Sequence, residues 1–347
     1  MASPRNVIYY NDRSNPIPLA GISGLPYTDV ILAFLVPGDN LNLMGQGGAF
    51  GSDGNPNQKD LQALQNAGKN VLISIGGAAE YFPSSAWQQY AQDVDGLIEQ
   101  IAEYVTVNGF NGVDIDYEDN NGFTGGPDGA GVYDGITFLI ELTNGLAQEL
   151  PLGQNVITHA PQPPYFDRTG RFNNAYTQVW QGAGSNISWF NCQFYNNPSY
   201  SSSASSKVSW YETFADTVGA AKLLTGTPLD PAGSGYLPLG QFVGQVIAPL
   251  LQKFGSAFGG VMGWEFSYDQ GGTWAEGIAQ ALADGTGAPI AGLEYTIQPG
   301  DTLYDIATVV YGAANAGQGV TAIEAANPGI DAYKLWIGQQ IHIPVQA

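Results

Sequence analysis

The chain has 347 residues, 31 acidic against 10 basic, for a net charge of −21. That length suits two or three ordinary domains, or one large barrel with a small module. The acidic surplus repels nucleic acid and anionic membrane surfaces, so a neutral or cationic partner is expected.

One cysteine, Cys192, allows no internal disulfide, and two histidines, His159 and His342, make a metal site unexpected. No cofactor is expected either. No apolar run approaches the ~20 residues of a membrane span. The opening "MASPRNVIYY" turns almost at once into strand-like residues. No signal peptide is visible there. Aromatic residues make up 12% of the chain, which fits stacking on sugar rings and equally fits a well-packed core.

Short β-rich apolar runs recur in chain order at Val7–Tyr10, Val30–Val36, Val71–Gly76, Val113–Glu118, Val156–Ala160, Trp189–Tyr195, Leu223–Pro228 (the weakest) and Val261–Phe266. Helical periodicity fills the gaps at Lys59–Ala67, Trp87–Val107, Tyr133–Glu149, Trp210–Ala221, Gln241–Phe254 and Trp274–Ala283. Strands alternating with helices imply a parallel sheet. Eight such units predict an α/β fold, a (β/α)8 TIM barrel, over residues 1–284. No Gly-x-Gly-x-x-Gly turn follows the first strand, which argues against a dinucleotide-binding sheet. The Gly/Pro/Ala-rich stretch 285–293 reads as a linker. Beyond it, residues 294–347 read as a small βααβ domain.

The stretch "NGFNGVDIDYEDN", residues 108–120, places three carboxylates on one face of a strand. Alternation along a strand turns Asp114, Asp116 and Glu118 the same way, with alternate Cα atoms about 6.6 Å apart. Burying an unpaired charge costs several kcal/mol, and a packed barrel has no structural need of three. Crowded carboxylates share protons, which raises at least one pKa and makes a general acid usable near neutral pH. Glu118 falls at the C-terminal end of its strand, where barrel active sites lie.

"NGVDIDYE" resembles the D-G-x-D-x-D-x-E signature of family 18 glycoside hydrolases, the chitinases and their relatives. Ser74-Ile75-Gly76-Gly77, "GGVMGWEF" (Gly259–Phe266) and, more weakly, "APQPPY" (Ala160–Tyr165) resemble further elements of the family in order, and "QFYNNP" (Gln193–Pro198) resembles the sixth strand of its hevamine-like chitinases. The first Asp of the signature is Asn111 here, and a retuned pKa of the Asp114/Asp116 pair is expected from that change. The resemblance implies substrate-assisted catalysis, in which the substrate's acetamido oxygen is the nucleophile. Glu118 would protonate the glycosidic oxygen. Asp116 would turn to Glu118 and hold the acetamido N–H, sharing its proton with Asp114 beforehand. Tyr195 would bond the acetamido group and Trp264 would floor the sugar site. Gln193 and Asn196 would be groove contacts. Cys192 and His159 read as buried structural residues. About 30 residues separate the last two strands, too few for an inserted cleft wall, so an open groove and endo cleavage are expected.

"YTIQPGDTLYDIA…AIEAANPGI…LWIGQQIHIP" resembles a LysM domain, a binder of N-acetylglucosamine polymers. Its sugar-binding loops would be Gly300, Asp301, Thr302 and Leu303, with Asn327, Pro328 and Ile330. The resemblances together imply a retaining endo-chitinase anchored to polymer by its LysM domain. The alternatives are a peptidoglycan N-acetylglucosaminidase, an endo-β-N-acetylglucosaminidase acting on N-glycans, and a non-catalytic chitin-binding lectin. The expected partner is chitin or another N-acetylglucosamine polymer, met by a secreted monomer.

Overall fold

A computed structural model describes residues 4–11, 18–124, 133–172, 174–285 and 292–345. Eight parallel strands close into a barrel: β1 (Arg5–Tyr10), β2 (Asp29–Pro37), β4 (Asn70–Gly76), β5 (Gly112–Asp116), β6 (Val156–His159), β7 (Trp189–Cys192), β8 (Leu223–Pro228) and β9 (Gly260–Trp264). Closure comes from β1, which pairs with β2 through Val7↔Asp29 and with β9 through Val7↔Met262. A short strand β3 (Leu43–Gly45) folds back antiparallel on the end of β2. Strand alternation divides the core in two. Val7, Tyr9, Ile31, Leu72, Leu224 and Met262 fill the barrel. Ile8, Val30, Ile73, Val113 and Ile157 meet the surrounding helices. A strand buried on both faces reads as a continuous apolar run, which is why these eight are legible in the sequence.

The expected helices need four corrections. The single helix over Trp87–Val107 is two, Ser84–Tyr90 and Val94–Asn108, because Asp93 caps the second by accepting the Gly96 N–H at 3.2 Å. The helix expected from Trp210 starts earlier, spanning Ala204–Val218. Ser203 caps it inside a serine run that reads as loop. Ala175–Ala183 is a helix not expected at all. The helix after β8 contains a π turn at Val243–Ile247. Strands β5 and β7 also end two and three residues sooner than expected, at Asp116 and Cys192.

The C-terminal unit pairs β10 (Gly292–Thr296) with β11 (Gln340–Pro344), antiparallel in the register Tyr295↔Ile341. Helices Leu303–Tyr311 and Ala316–Ala326 lie between them in sequence and cover the sheet with Ile306, Val310 and Ile323. No helix among the described residues is long and apolar enough to cross a membrane.

One buried carboxyl ties the last barrel helix, Thr273–Asp284, to the start of β2. Asp269 is fully buried and accepts hydrogen bonds from the Tyr27 hydroxyl, from Trp274 N–H at 2.7 Å and from Ala275 N–H at 3.1 Å. Burial outweighs these donors and pushes its pKa up to about 7. A carboxyl whose folded pKa exceeds its unfolded value stabilises the fold below the unfolded value. That stability is lost as pH rises through about 7. Asp114, Asp116 and Glu118 are raised in the same direction. Thermal unfolding should therefore show a melting temperature a few degrees higher at pH 5 than at pH 8, and Asp269→Asn should reduce that difference.

Candidate active site

Strand β5 delivers Asp114 and Asp116 to the barrel interior, and Glu118 follows two residues past its end. Their approach depends on the end of β4. Gly76 and Gly77 adopt φ of +117° and +87°, and Gly77 N–H donates to the Asp116 carbonyl at 2.9 Å. A Cβ on Gly76 would stand 2.1 Å from that carbonyl oxygen, so no larger residue lets β4 come this close.

Asp114 is fully buried without a cation. Four side chains from four strands donate to it. Oδ2 accepts from Tyr9 Oη and Ser74 Oγ, both at 2.7 Å. Oδ1 accepts from Thr158 Oγ1 at 2.6 Å and Asn191 Nδ2 at 3.1 Å. Burial raises its pKa and the four donors oppose the rise. The four partners saturate the two oxygens of the carboxyl group. Toward Asp116 it acts through its charge, which raises the pKa of that residue.

Asp116 is hydrogen-bonded to Glu118. Desolvation, followed by the charges of Glu118 and Asp114, lifts Asp116 well above the ordinary carboxylate range. Desolvation also lifts Glu118. Two carboxyls in contact resist ionising together, which favours a proton held between them. Gln193 Nε2 sits over the pair, 2.8 Å from Asp116 Oδ1, 3.1 Å from Glu118 Oε1 and 2.9 Å from the Ala160 carbonyl. The residue is 5% exposed and braces the carboxyls. Gln162 Nε2 donates to the other Glu118 oxygen at 3.2 Å.

Tyr195 is buried beside these groups. Burial first, and then the charges of Asp116 and Glu118, keep its hydroxyl protonated. Among the described residues that hydroxyl has no hydrogen-bond partner. Trp264 packs at 5.5 Å from Tyr9 and stacks at 5.7 Å and 28° on Phe34, at the end of β9. Asn196 is exposed at the turn beyond Tyr195, with φ of +54° and its N–H on the Ser234 carbonyl at 3.0 Å. Carboxyls, Tyr195, Gln193 and Trp264 thus converge at the C-terminal mouth of the barrel.

Asn111 lies at the other end of β5. Its Oδ1 accepts from Val71 N–H at 2.8 Å and Gln65 Nε2 at 3.1 Å. No hydrogen bond joins it to Asp114 or Asp116 among the described residues, and the expected retuning of their pKa has no structural route. His159 faces outward between Thr143 and Tyr176, and burial lowers its pKa to about 3. Cys192 is buried and free. No group of three or more His, Cys, Asp and Glu able to hold a metal occurs among the described residues.

In the C-terminal unit several of the expected sugar contacts also hold the fold together. Leu303 is core, 1% exposed. Thr302 caps its helix by accepting the Asp305 N–H at 3.1 Å. Asp301 accepts the Gln298 N–H at 2.7 Å. Asn327 clamps β11, accepting the His342 N–H at 2.8 Å and donating to the Ile323 and His342 carbonyls. A depression of about 530 Å³ is lined by Asn327, Pro328, Ile330, Lys334 and the exposed Trp336, whereas Gly300–Leu303 do not line it.

Residues 5–226 match the family described as Glycosyl hydrolases family 18, and the chain belongs to that family. Residues 295–344 match the LysM domain. An acidic endochitinase from Nicotiana tabacum is 32% identical over 76% of this chain and 88% of its own. The acidic endochitinase SE2 of Beta vulgaris is 30% identical over 76% and 87%. The crystal structure of a family 18 chitinase from Pseudoalteromonas aurantia superposes with a TM-score of 0.73 at 37% identity, covering 80% of this chain and 99% of that one.

Tyr9, Ser74, Thr158 and Asn191 had no assigned part in the site from sequence, nor did Gln162. Each inward position follows from period two: Asn191 is two before Gln193, and Thr158 is two before Ala160 on its strand. Removing a donor from the ionised form of Asp114 raises its pKa. Tyr9→Phe should move the acid limb of the pH–rate profile upward and lower kcat about tenfold, as read from initial rates between pH 3 and 8.

Proposed function

We propose that this chain is a retaining endo-chitinase that cleaves β-1,4 bonds between N-acetylglucosamine units by substrate-assisted catalysis. The observation that carries the reading is the hydrogen-bonded Asp116–Glu118 pair, set beside the Trp264 ring and the Tyr195 hydroxyl, which has no hydrogen-bond partner among the described residues. The endochitinase names of the two plant relatives support the choice of polymer.

The steps follow from the charges. A bound acetamido N–H donates to Asp116, which stabilises its carboxylate form, so the shared proton passes to Glu118. Glu118 gives that proton to the glycosidic oxygen as the bond to the anomeric carbon breaks. The acetamido oxygen, held by Tyr195 Oη, attacks the same carbon and forms an oxazolinium ion. Asp116 then faces the positive charge on the ring nitrogen. Water opens the ring after losing a proton to Glu118, and two displacements leave the anomeric configuration retained. Trp264 gives the apolar floor against which the sugar face packs, and Asn196 is placed to contact the rim. Asp114 keeps Asp116 in register without touching the substrate.

The LysM domain anchors the enzyme to insoluble polymer through the depression at Pro328, Ile330 and Trp336, with Gly300 exposed on the neighbouring loop. We place this activity outside the cell, in a monomer.

Chitin hexasaccharide should yield dimers to tetramers by mass spectrometry, while peptidoglycan and a high-mannose glycopeptide stay intact. An intact hexasaccharide would sink the reading, and cleavage of either other substrate would name its replacement. Glu118→Gln should lower turnover by about 10²–10⁴-fold, the worth of a general acid, with oligosaccharide binding retained. A non-catalytic lectin would show no change. Trp336→Ala should weaken retention on insoluble chitin several-fold and leave hexasaccharide turnover unchanged.

A further inference from the structure

The LysM domain meets the barrel across a surface in which both sides are shaped to fit. Gln280, on the last barrel helix, treats β10 as a neighbouring strand would. Its Oε1 accepts the Glu294 N–H at 3.0 Å and its Nε2 donates to the Glu294 carbonyl. Tyr295 Oη lies 2.8 Å from the Gly271 carbonyl of the barrel and 2.8 Å from Asp301 of its own domain. Asp301, one of the expected sugar contacts, is thereby turned toward the barrel, and a Cβ on Gly271 would stand 2.4 Å from its Oδ1.

Glycine recurs where the two surfaces touch. A Cβ on Gly277 would stand 2.6 Å from Leu239 and 3.1 Å from Leu293. One on Gly240 would meet the Val310 carbonyl at 3.2 Å and Val345 at 3.3 Å, and one on Gly312 would meet Pro238 at 3.0 Å. Leu239, Leu293 and Val310 are each 2% exposed or less and belong to one hydrophobic cluster with the helices of the barrel. A freely tethered module would have to return these groups to water, at about 25 cal/mol for each Å² of apolar surface.

We propose that the LysM domain is a fixed arm of the barrel, docked on the segment Pro238–Phe242 and the helix Thr273–Asp284. A polymer held by the arm then meets the cleft at one set distance and angle. This consequence rests on the chitinase reading above; the docking does not. Docking also changes what the connection between the domains does. A tethered module acts through an effective concentration that varies with linker length. A docked module does not depend on that length.

The test lengthens the connection in the full chain by about twenty Gly/Ser residues between Gly285 and Gly292, enough for a flexible span of about 25 Å. Small-angle scattering and an interdomain fluorescence distance should match the unaltered protein, apart from the added loop. Calorimetry should show one transition, and hydrolysis of insoluble chitin should be unchanged. Adding Gly277→Leu, which fills the space of Leu239 and Leu293, should free the arm. The distance should then grow and the transition split, with insoluble-chitin hydrolysis reduced several-fold. Leu293→Asp places the damage on the LysM side and should give the same separation. An interdomain distance that grows with linker length alone, or two independent transitions in the unaltered chain, would overturn the docking. If the unaltered protein leaves hexasaccharide intact, the chitinase reading fails while the distances still decide the docking.

Discussion

The constraint on which the barrel depends is a buried carboxyl group. Asp114 sits at the centre of the sheet with no cation beside it, and an uncompensated carboxylate there would cost several kcal/mol. The compensation is four neutral donors, Tyr9, Ser74, Thr158 and Asn191, each from a different strand. Satisfying one residue therefore fixes the rotation and register of β1, β4, β6 and β7 around β5. Inward side chains that would otherwise be apolar filler become a polar knot, and a one-residue slip in any of these strands would orphan a donor as well as the charge.

The acid chemistry is built upward from that knot. Asp116 stands one pleat above Asp114, and Glu118 one pleat above Asp116. Each step moves from full burial toward the mouth of the barrel. The charge fixed at Asp114 adds to the proton affinity of Asp116, while Gln193 and Gln162 hold the outer oxygens. The result is a gradient: a saturated carboxyl below, a hydrogen-bonded carboxyl pair above it, and a partly exposed acid at the top. The backbone of β4 can lie beside this column only because Gly76 and Gly77 carry no side chain.

The LysM domain follows a different economy. Its sheet has only two strands, and a two-stranded sheet has little independent stability in water. Two helices cover one side, and the barrel supplies further packing through Leu239 and the Gln280 amide, so that the apolar residues of β10 have neighbours on both sides. Side chains that family likeness would offer to a sugar, Asp301, Thr302, Leu303 and Asn327, are used to hold the two loops and the interdomain contact. Pro328, Ile330 and Trp336 remain at the surface.

The eight strands and the small C-terminal unit were legible because parallel strands buried on both faces leave continuous apolar runs, and because alternation along β5 turns Asp114, Asp116 and Glu118 one way. The same alternation was available for Tyr9, Thr158 and Asn191, but it identifies a face without saying which strands stand opposite. Helix boundaries at Asp93 and Ser203 were hidden because a capping side chain and a loop side chain are the same residue types. The barrel, its acidic strand and the family could be read from residue order, since these depend on local period and on motif order. It took the folded chain to show that Asp114 is saturated by four strands, that Gln193 and Gln162 brace the Asp116–Glu118 pair, that Asn111 is remote from it, and that Asp301 faces the barrel. Those facts depend on contacts between residues far apart in the chain, where a hydrogen bond is set by a few tenths of an ångström that no spacing in one dimension encodes.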